Sequence, residues 1–322
     1  MAEMSYAEAV CLALRQEMSR DARVWALGED LGTIGGLAGQ YRGLQQEFGR
    51  ERICDTPISE STIMGAAVGA AICGTRPVVE LRYADFGLCA TDEIVNQAAK
   101  IRYMFNGQAR VPLVIRMPIG IQRGCAAQHS QSTEAWWVHV PGLVVVAPAT
   151  PADNHALLKS AIRCDDPIVY LEHKELWATR GQVDPDGDAL PLGQAETVLP
   201  GSKLTIVTWS KMRHVCVEAG KRIGAEVIDL RTLWPWDRET VLESVRRTGR
   251  LLVVHEAVRA AGFGAEIAAE VSEVLWRELK GPVRRLGGPR SPVPYAEPLE
   301  AMFRITPEQV ARMAEEMLKE NR

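Results

Sequence analysis

The stretch 143–172, LVVVAPATPADNHALLKSAIRCDDPIVYLE, holds two short apolar runs on either side of one helical pattern. Leu143–Pro148 and Pro167–Glu172 are rich in Val, Ile and Leu and do not alternate with polar residues. That is the signature of strands buried on both faces of a parallel sheet. Pro151–Arg163 lies between them with helical periodicity. Strand, helix and strand in this order predict a crossover unit and an α/β fold.

The alternation extends outward in both directions. Val24–Gly28, Pro77–Leu81, Pro112–Arg116, Leu204–Trp209, Val227–Leu230, Leu251–His255 and Val283–Leu286 read as further buried strands. Ser5–Arg20, Thr91–Phe105, Arg213–Ile223, Asp237–Thr248 and Ala265–Leu279 read as helices. The segment Ala178–Pro200 is dense in Gly, Pro and Asp and has little periodicity. The expectation is two α/β domains, 1–180 and 201–322, with 181–200 as linker, each built on a mainly parallel sheet flanked by helices. A length of 322 residues suits two domains.

Composition narrows the function class. Hydrophobic residues make up 47% and charged residues 24%, an ordinary globular mix that argues against disorder or coiled coil. Net charge is −4, which gives no basic field for nucleic acid or an anionic membrane. Seven Cys are scattered without a CxxC pair, so they read as buried thiols in a reducing compartment. The apolar stretch Ala9–Leu14 is too short for a signal segment or a membrane span. The expected location is cytoplasmic.

Polar residues cluster where strands should end: Gly28–Glu29–Asp30, Glu80–Phe86 and Pro118–Gly120. In open α/β sheets ligands bind outside the carboxyl ends of strands. Ser59 reads as a helix cap, with Glu60 in the first turn of a helix whose residues at 65, 66, 67, 69, 70 and 71 are Gly or Ala. Two readings of Glu60 stand. It compensates the helix dipole, or it is a desolvated acid at a helix start packed closely against another backbone. His129 lies among small polar residues in a Gly-containing loop, which suits a catalytic loop better than a core. Tyr83 and Phe86 are either loop anchors or an aromatic wall for a flat ring. No GxGxxG, Walker A loop, GxSxG or HExxH occurs, and Gly262–Phe263–Gly264 is a lone fragment at a helix entry.

DTPISE (55–60), GAAVGAAICG (65–74), RPVVELRYADF (76–86), EIVNQAAKIRY (93–103), AAQHSQS (126–132) and VPGLVVVAPATP (140–151) occur in an order that resembles the β subunit of thiamine-diphosphate-dependent 2-oxo acid dehydrogenases, in the transketolase-like superfamily. EVIDLRTLWPWD, GRLLVVHEA, GFGAEIA and SPVPYAEPLE extend the resemblance to about Pro298. The resemblance implies that Glu60 hydrogen-bonds the aminopyrimidine ring of thiamine diphosphate and favours protonation of its ring nitrogen. It implies that Phe86 stacks on that ring and that Glu29 lies near the cofactor. His129 would meet the lipoyl acceptor or the intermediate. Some relatives bind potassium, which would fall on carbonyls near Val111, Leu113, Val114 and Ala161 and on Cys164 and Asp166. Cys164 stands where relatives carry Asp, and a soft thiol suits potassium poorly.

The family holds the cofactor diphosphate and Mg²⁺ through a Gly-Asp-Gly…Asn motif on the other subunit. No such motif occurs here; Asp186–Gly187–Asp188 lies in the linker. The resemblance therefore implies half a site, completed by an α chain in a tetramer of two α and two β. The partners would be that α subunit, a lipoyl-bearing acyltransferase and a small 2-oxo acid, pyruvate or branched-chain. Acetoin is the alternative substrate, since RYMFNG and LEHK look like acetoin-cleaving β chains. Selectivity is expected at Arg82–Tyr83 and Ile119–Gln122. The non-enzymatic alternative, a nucleotide-binding α/β protein, needs a phosphate loop that this chain does not display.

Overall fold

The computed structural model describes residues 1–320 and divides into two units. The first comprises Met1–Ile119 and Trp136–Leu192, the second Gly120–Ala135 and Gly193–Arg322. The first-unit sheet runs in the order Val144–Val146, Ile168–His173, Val114–Ile119, Arg76–Glu80, Val24–Gly28 and Ile53–Asp55, and every pairing among these six is parallel. All six residues of Val114–Ile119 and of Ile168–His173 are buried. This is why their sequences do not alternate.

The helix Tyr6–Arg20 buries Val10, Ala13, Leu14 and Met18, spaced at three and four residues, in one core with Leu157, Leu158 and Ile162 of the helix Pro151–Arg163. Its start is fixed by a capping box. The Ser5 hydroxyl accepts from Glu8 N at 3.1 Å, and the Glu8 carboxylate accepts from Ser5 N at 2.6 Å. Such a cap contributes about 1 kcal/mol.

In the second unit the strand order is Arg284–Gly288, Leu251–Val258, Thr205–Thr208, Glu226–Asp229 and Glu196–Leu199. The first four run parallel and the last antiparallel. Leu204, Ile206, Val227, Leu252 and Val254 form the core with Cys216 and with Val310, Ala314 and Met317 of the helix Pro307–Lys319. That helix carries its own capping box, Thr306 with Gln309, a signal the sequence reading passed over.

Three local differences have physical causes. The predicted helix Thr91–Phe105 is of mixed pitch: a π segment Glu93–Ala98 precedes the α segment Ala99–Met104. The Asp92 carboxylate accepts from Asn96 at i+4 (2.7 Å) and from Gln97 at i+5 (3.3 Å), which accompanies the wider turn. The expected linker is partly structured. Arg180–Val183 pairs with Ala2–Ser5, and Glu196–Leu199 is a sheet edge. The stretch 120–135, read as part of domain 1–180, groups with the second unit.

Candidate active site

Glu29, Glu60 and Phe86 lie on loops at the carboxyl ends of three neighbouring strands of the first unit. Glu29 directly follows Val24–Gly28, where a Cβ on Gly28 would meet the Glu80 carbonyl oxygen at 2.7 Å. The Asp55 carboxylate folds the loop back by accepting from Gly32 N at 2.6 Å and from the Thr33 hydroxyl at 2.8 Å. Arg82 reaches Glu29 at 3.6 Å and Asp30 at 3.2 Å. Burial pushes the Glu29 carboxyl above its ordinary value, Arg82 opposes this, and the Glu60 charge adds to the rise.

Glu60 is half-buried and opens the helix Glu60–Ile72. The cap expected at Ser59 is absent. Ser59 has φ −167° and ψ 81°, outside the usual cap geometry, and its hydroxyl pairs with Thr62 Oγ1 at 2.8 Å. Among the described residues no backbone packs closely on one face of the Gly/Ala helix. Gly65, Ala66 and Gly69 are exposed, and a Cβ on Gly69 would meet nothing within 4 Å.

Phe86 sits on the short 3₁₀ helix Ala84–Ala90, edge-on to Tyr83 with ring centroids 5.6 Å apart. The Tyr83 ring also faces the buried Lys174 ammonium at 5.3 Å, a cation–π contact. Glu29, Glu60 and Phe86 therefore share one unit. His129 belongs to the other, half-buried in the segment 120–135.

Beneath the first-unit loops lies a charged group that the sequence reading missed. Arg116 is fully buried between Glu80 (2.8 Å) and Glu172 (2.5 Å) and also donates to the Tyr41 hydroxyl at 2.8 Å. Asn154 donates to Glu172 at 3.1 Å, and Leu37 N to Glu80 at 3.4 Å. Burial pushes the Glu80 carboxyl up, opposed by Arg116. The signal was present: three adjacent apolar strands carry Glu80, Arg116 and Glu172 at or near their carboxyl ends. A buried charge requires a buried partner.

In the second unit Glu134 and His255 are polar core groups. Glu134 is 2% exposed and accepts from Trp209 Nε1 at 3.1 Å, while its second oxygen has no hydrogen-bond partner among the described residues. Burial raises its carboxyl to about 7. His255 stacks on Trp209 with ring centroids 5.3 Å apart, and burial lowers it to about 4. Added Cβ atoms on Gly262, Gly264 and Gly287 would fall within 2.9 Å of its ring. The lone GFG fragment is thus shaped by close packing on an imidazole.

The remaining expected donors can be placed in the same way. The Leu113 carbonyl accepts from Ile168 N at 2.8 Å and that of Ala161 from Cys164 N at 3.3 Å. Val111 and Val114 are buried, Val114 within a sheet strand. The Cys164 carbonyl accepts from Arg76 at 2.9 Å, burial pushes the Cys164 thiol up, and the Asp166 carboxylate is paired with Arg102. Two guanidinium groups and a protonated thiol do not suit a hard monovalent cation. Among the described residues no three His, Cys, Asp or Glu side chains are grouped to hold a metal. Asp186–Gly187–Asp188 forms a turn fastened by Lys159 to the Gly187 carbonyl at 2.7 Å. All seven cysteines are free, and no helix among the described residues is long and apolar enough to cross a membrane.

Comparison with known proteins gives the family. Residues 2–179 match the family "Transketolase, pyrimidine binding domain" and residues 193–310 the family "Transketolase, C-terminal domain". The chain is 40% identical to the 2-oxoisovalerate dehydrogenase subunit beta of Bacillus subtilis, over 98% of this chain and 99% of that protein. It is 42% identical to the acetoin:2,6-dichlorophenolindophenol oxidoreductase subunit beta of Cupriavidus necator, over 98% of each. It is 40% identical to the pyruvate dehydrogenase E1 component subunit beta of Chaetosphaeridium globosum, over 99% of each. A solved structure titled "Split gene transketolase, inactive beta4 tetramer" matches with a TM-score of 0.80 and 24% identity over 99% of each chain, which speaks for the fold.

Proposed function

The chain belongs to the β subunits of the thiamine-diphosphate-dependent 2-oxo acid dehydrogenases, and from that premise we propose that it works with an α subunit to decarboxylate a 2-oxo acid and pass the acyl group to a lipoyl carrier. The observation that carries the reading is the loop cluster holding Glu29, Glu60 and Phe86 at neighbouring strand ends. A half-buried carboxylate at a helix start and an aromatic pair at the same sheet edge suit a flat, protonatable pyrimidine. Thiamine diphosphate, when bound, supplies the carbon nucleophile and the electron sink. Glu60 holds a proton on the ring nitrogen, Phe86 stacks on the ring face, and Glu29 with Arg82 lines the loop beside them. His129 delivers a proton to the leaving thiolate of the lipoyl group, a task suited to an imidazole.

The diphosphate and its Mg²⁺ fall to the α subunit in this reading, because the Gly-Asp-Gly…Asn motif that holds them in the family does not occur in this sequence. Two α and two β chains make the assembly. The exposed Gly65–Ala66–Gly69 face of the Glu60–Ile72 helix is where a partner backbone would approach. Potassium forms no part of the proposal, since Cys164 and Asp166 are engaged by Arg76 and Arg102. Seven free thiols support a cytoplasmic setting.

Acetoin is the second reading, favoured by the LEHK strand end that buries Glu172, His173 and Lys174, and by the 42% identity to an acetoin-oxidising β subunit. Co-expression with the candidate α chain, followed by turnover on pyruvate, branched-chain 2-oxo acids and acetoin, tests both. Turnover on one 2-oxo acid class supports the first reading, and turnover on acetoin alone the second. An assembled tetramer inactive on every member of the panel would overturn both.

A further inference from the structure

His129 is carried by an excursion, residues 120–135, that leaves the first-unit strand Val114–Ile119 and returns at Trp136. The excursion has left-handed backbone at three points, strained at one of them. Gly120 and Gly124 have φ of +88° and +74°, and Ala126, with a side chain, has φ of +56°. Its internal main-chain bonds include Gly120 N to the Gln131 carbonyl at 3.1 Å, which closes the base, and a turn from Cys125 N to Gln122 at 3.0 Å. Anchors from elsewhere in the second unit therefore matter.

Those anchors are carboxylates from separate elements. Glu256, on the strand Leu251–Val258, accepts from Ile121 N at 2.7 Å. Glu300, at the end of the short helix Glu297–Glu300 and 2% exposed, accepts from Gly124 N at 3.0 Å and from Arg304 at 2.7 Å. Arg123 pairs with Glu297 at 2.6 Å, but both side chains are largely exposed and the pair adds little. At the far end Trp209 Nε1 donates to Glu134 of the excursion at 3.1 Å. Glu256 and Glu300 thus take main-chain donors on the entry side of a loop whose left-handed residues would otherwise let it shift.

We propose that Glu256 and Glu300 are positioning residues that fix the path of the His129 loop, and through it the geometry of acyl transfer. The second half of this statement rests on the role given to His129 above; the first half does not. An acceptor is what both sites require, and a carboxylate makes a stronger, shorter bond to a main-chain N–H than a neutral acceptor does. An amide oxygen at position 256 still accepts from Ile121, whereas a methyl group cannot.

The test uses the assembled α/β enzyme. Hydrogen–deuterium exchange read by mass spectrometry should show faster exchange across 120–135 in Glu256→Ala and in Glu300→Ala, with the strands Thr205–Thr208 and Leu251–Val254 unchanged. Turnover with a lipoyl domain as acceptor should fall by about 10- to 100-fold, the scale of a displaced reacting group. Turnover with an artificial electron acceptor should stay within about threefold of the parent on the same grounds. Glu256→Gln should recover most of the lipoyl-dependent rate. Unchanged exchange across 120–135 in both alanine variants overturns the anchoring. Faster exchange with equal losses in the two acceptor assays keeps the anchoring and removes acyl transfer from His129. A purely structural role would instead lower both rates, raise exchange throughout the second unit and resist rescue by Glu256→Gln.

Discussion

The two parallel sheets of this chain are alike in their apolar strands and different at their ends. In the first unit Glu80, Arg116 and Glu172 form a buried, ion-paired group under the loops that carry Glu29 and Phe86. In the second, the strand Leu251–Val258 buries a neutral His255 caged by glycines and presents Glu256 to a main-chain donor. One sheet fixes its own loops through side-chain charge. The other holds a segment borrowed from the first by accepting its backbone N–H groups. The difference follows from origin: loops continuous with their strands need steering, whereas an inserted excursion needs fastening.

The comparison breaks most severely at Glu60, which belongs to the first kind of site. Glu60→Gln keeps shape and removes the carboxylate that holds a proton on the cofactor ring. Loss of such acid–base work costs about 10²- to 10⁴-fold in rate. Turnover of the assembled enzyme should fall on that scale with both acceptors, and thermal unfolding should be unaltered. A rate within threefold of the parent, with cofactor bound, would return Glu60 to simple dipole compensation.

Arg116 sharpens the contrast in stability. Arg116→Met leaves Glu80 and Glu172 buried without their shared cation. Breaking one partner out of a buried ion group costs about 3–5 kcal/mol. The cost depends on pH with a definite sign. Without the guanidinium the chief opposition to the burial that raises the Glu80 carboxyl is gone, so Glu80 takes up a proton more readily and the deficit shrinks as pH falls toward its unfolded value. Chemical denaturation at pH 5.5 and pH 8 should show the larger deficit at pH 8. An equal deficit at both would mean that the carboxyls do not titrate in the variant. In the second unit the buried Asp229 pairs with Arg213 at 3.4 Å, but His255 is neutral and no part of that pair, so His255→Gln should show no growth of deficit toward pH 8.

What the sequence disclosed, and what it hid, divides along the same line. Strand runs such as Leu143–Pro148 and helix starts such as Ser5 were legible because burial on both faces and local capping act within a few residues. The placement of Glu60 and Phe86 was legible because they follow strands at a sheet's carboxyl edge. The assignment of 120–135 to the second unit was not, because carboxylates more than a hundred residues away hold it. The Ser59 cap was misread because its backbone angles, which residue type does not reveal, lie outside cap geometry. Glu134 was hidden for a further reason: Trp209, which covers it, is 75 residues distant.

Glu134 gives the smallest effect and the clearest sign. Its folded value is about 7 against 4.5 in an unfolded chain, because burial outweighs the bond from Trp209. A carboxyl raised on folding is no burden below pH 4.5, where both states are protonated. As pH rises to about 7 the unfolded chain releases a proton that the folded one retains, so stability falls through that window and levels off above it. The full penalty is at most about 3 kcal/mol. His255 slopes the other way: its value of about 4 lies below the ordinary 6.5, so its contribution is lost as pH falls through that interval. Between pH 4.5 and 6.5 the two slopes oppose each other and mask one another. Glu134→Gln keeps an acceptor for Trp209 Nε1 and removes the titration. The variant should match the parent in melting temperature near pH 4.5 and exceed it increasingly up to pH 7, with a constant gap above. Its own melting temperature should rise with pH across 4.5–6.5, once the His255 slope is no longer cancelled. A gap independent of pH would place the Glu134 charge in contact with solvent, and a gap that narrows with rising pH would reverse the sign argued for this buried carboxyl.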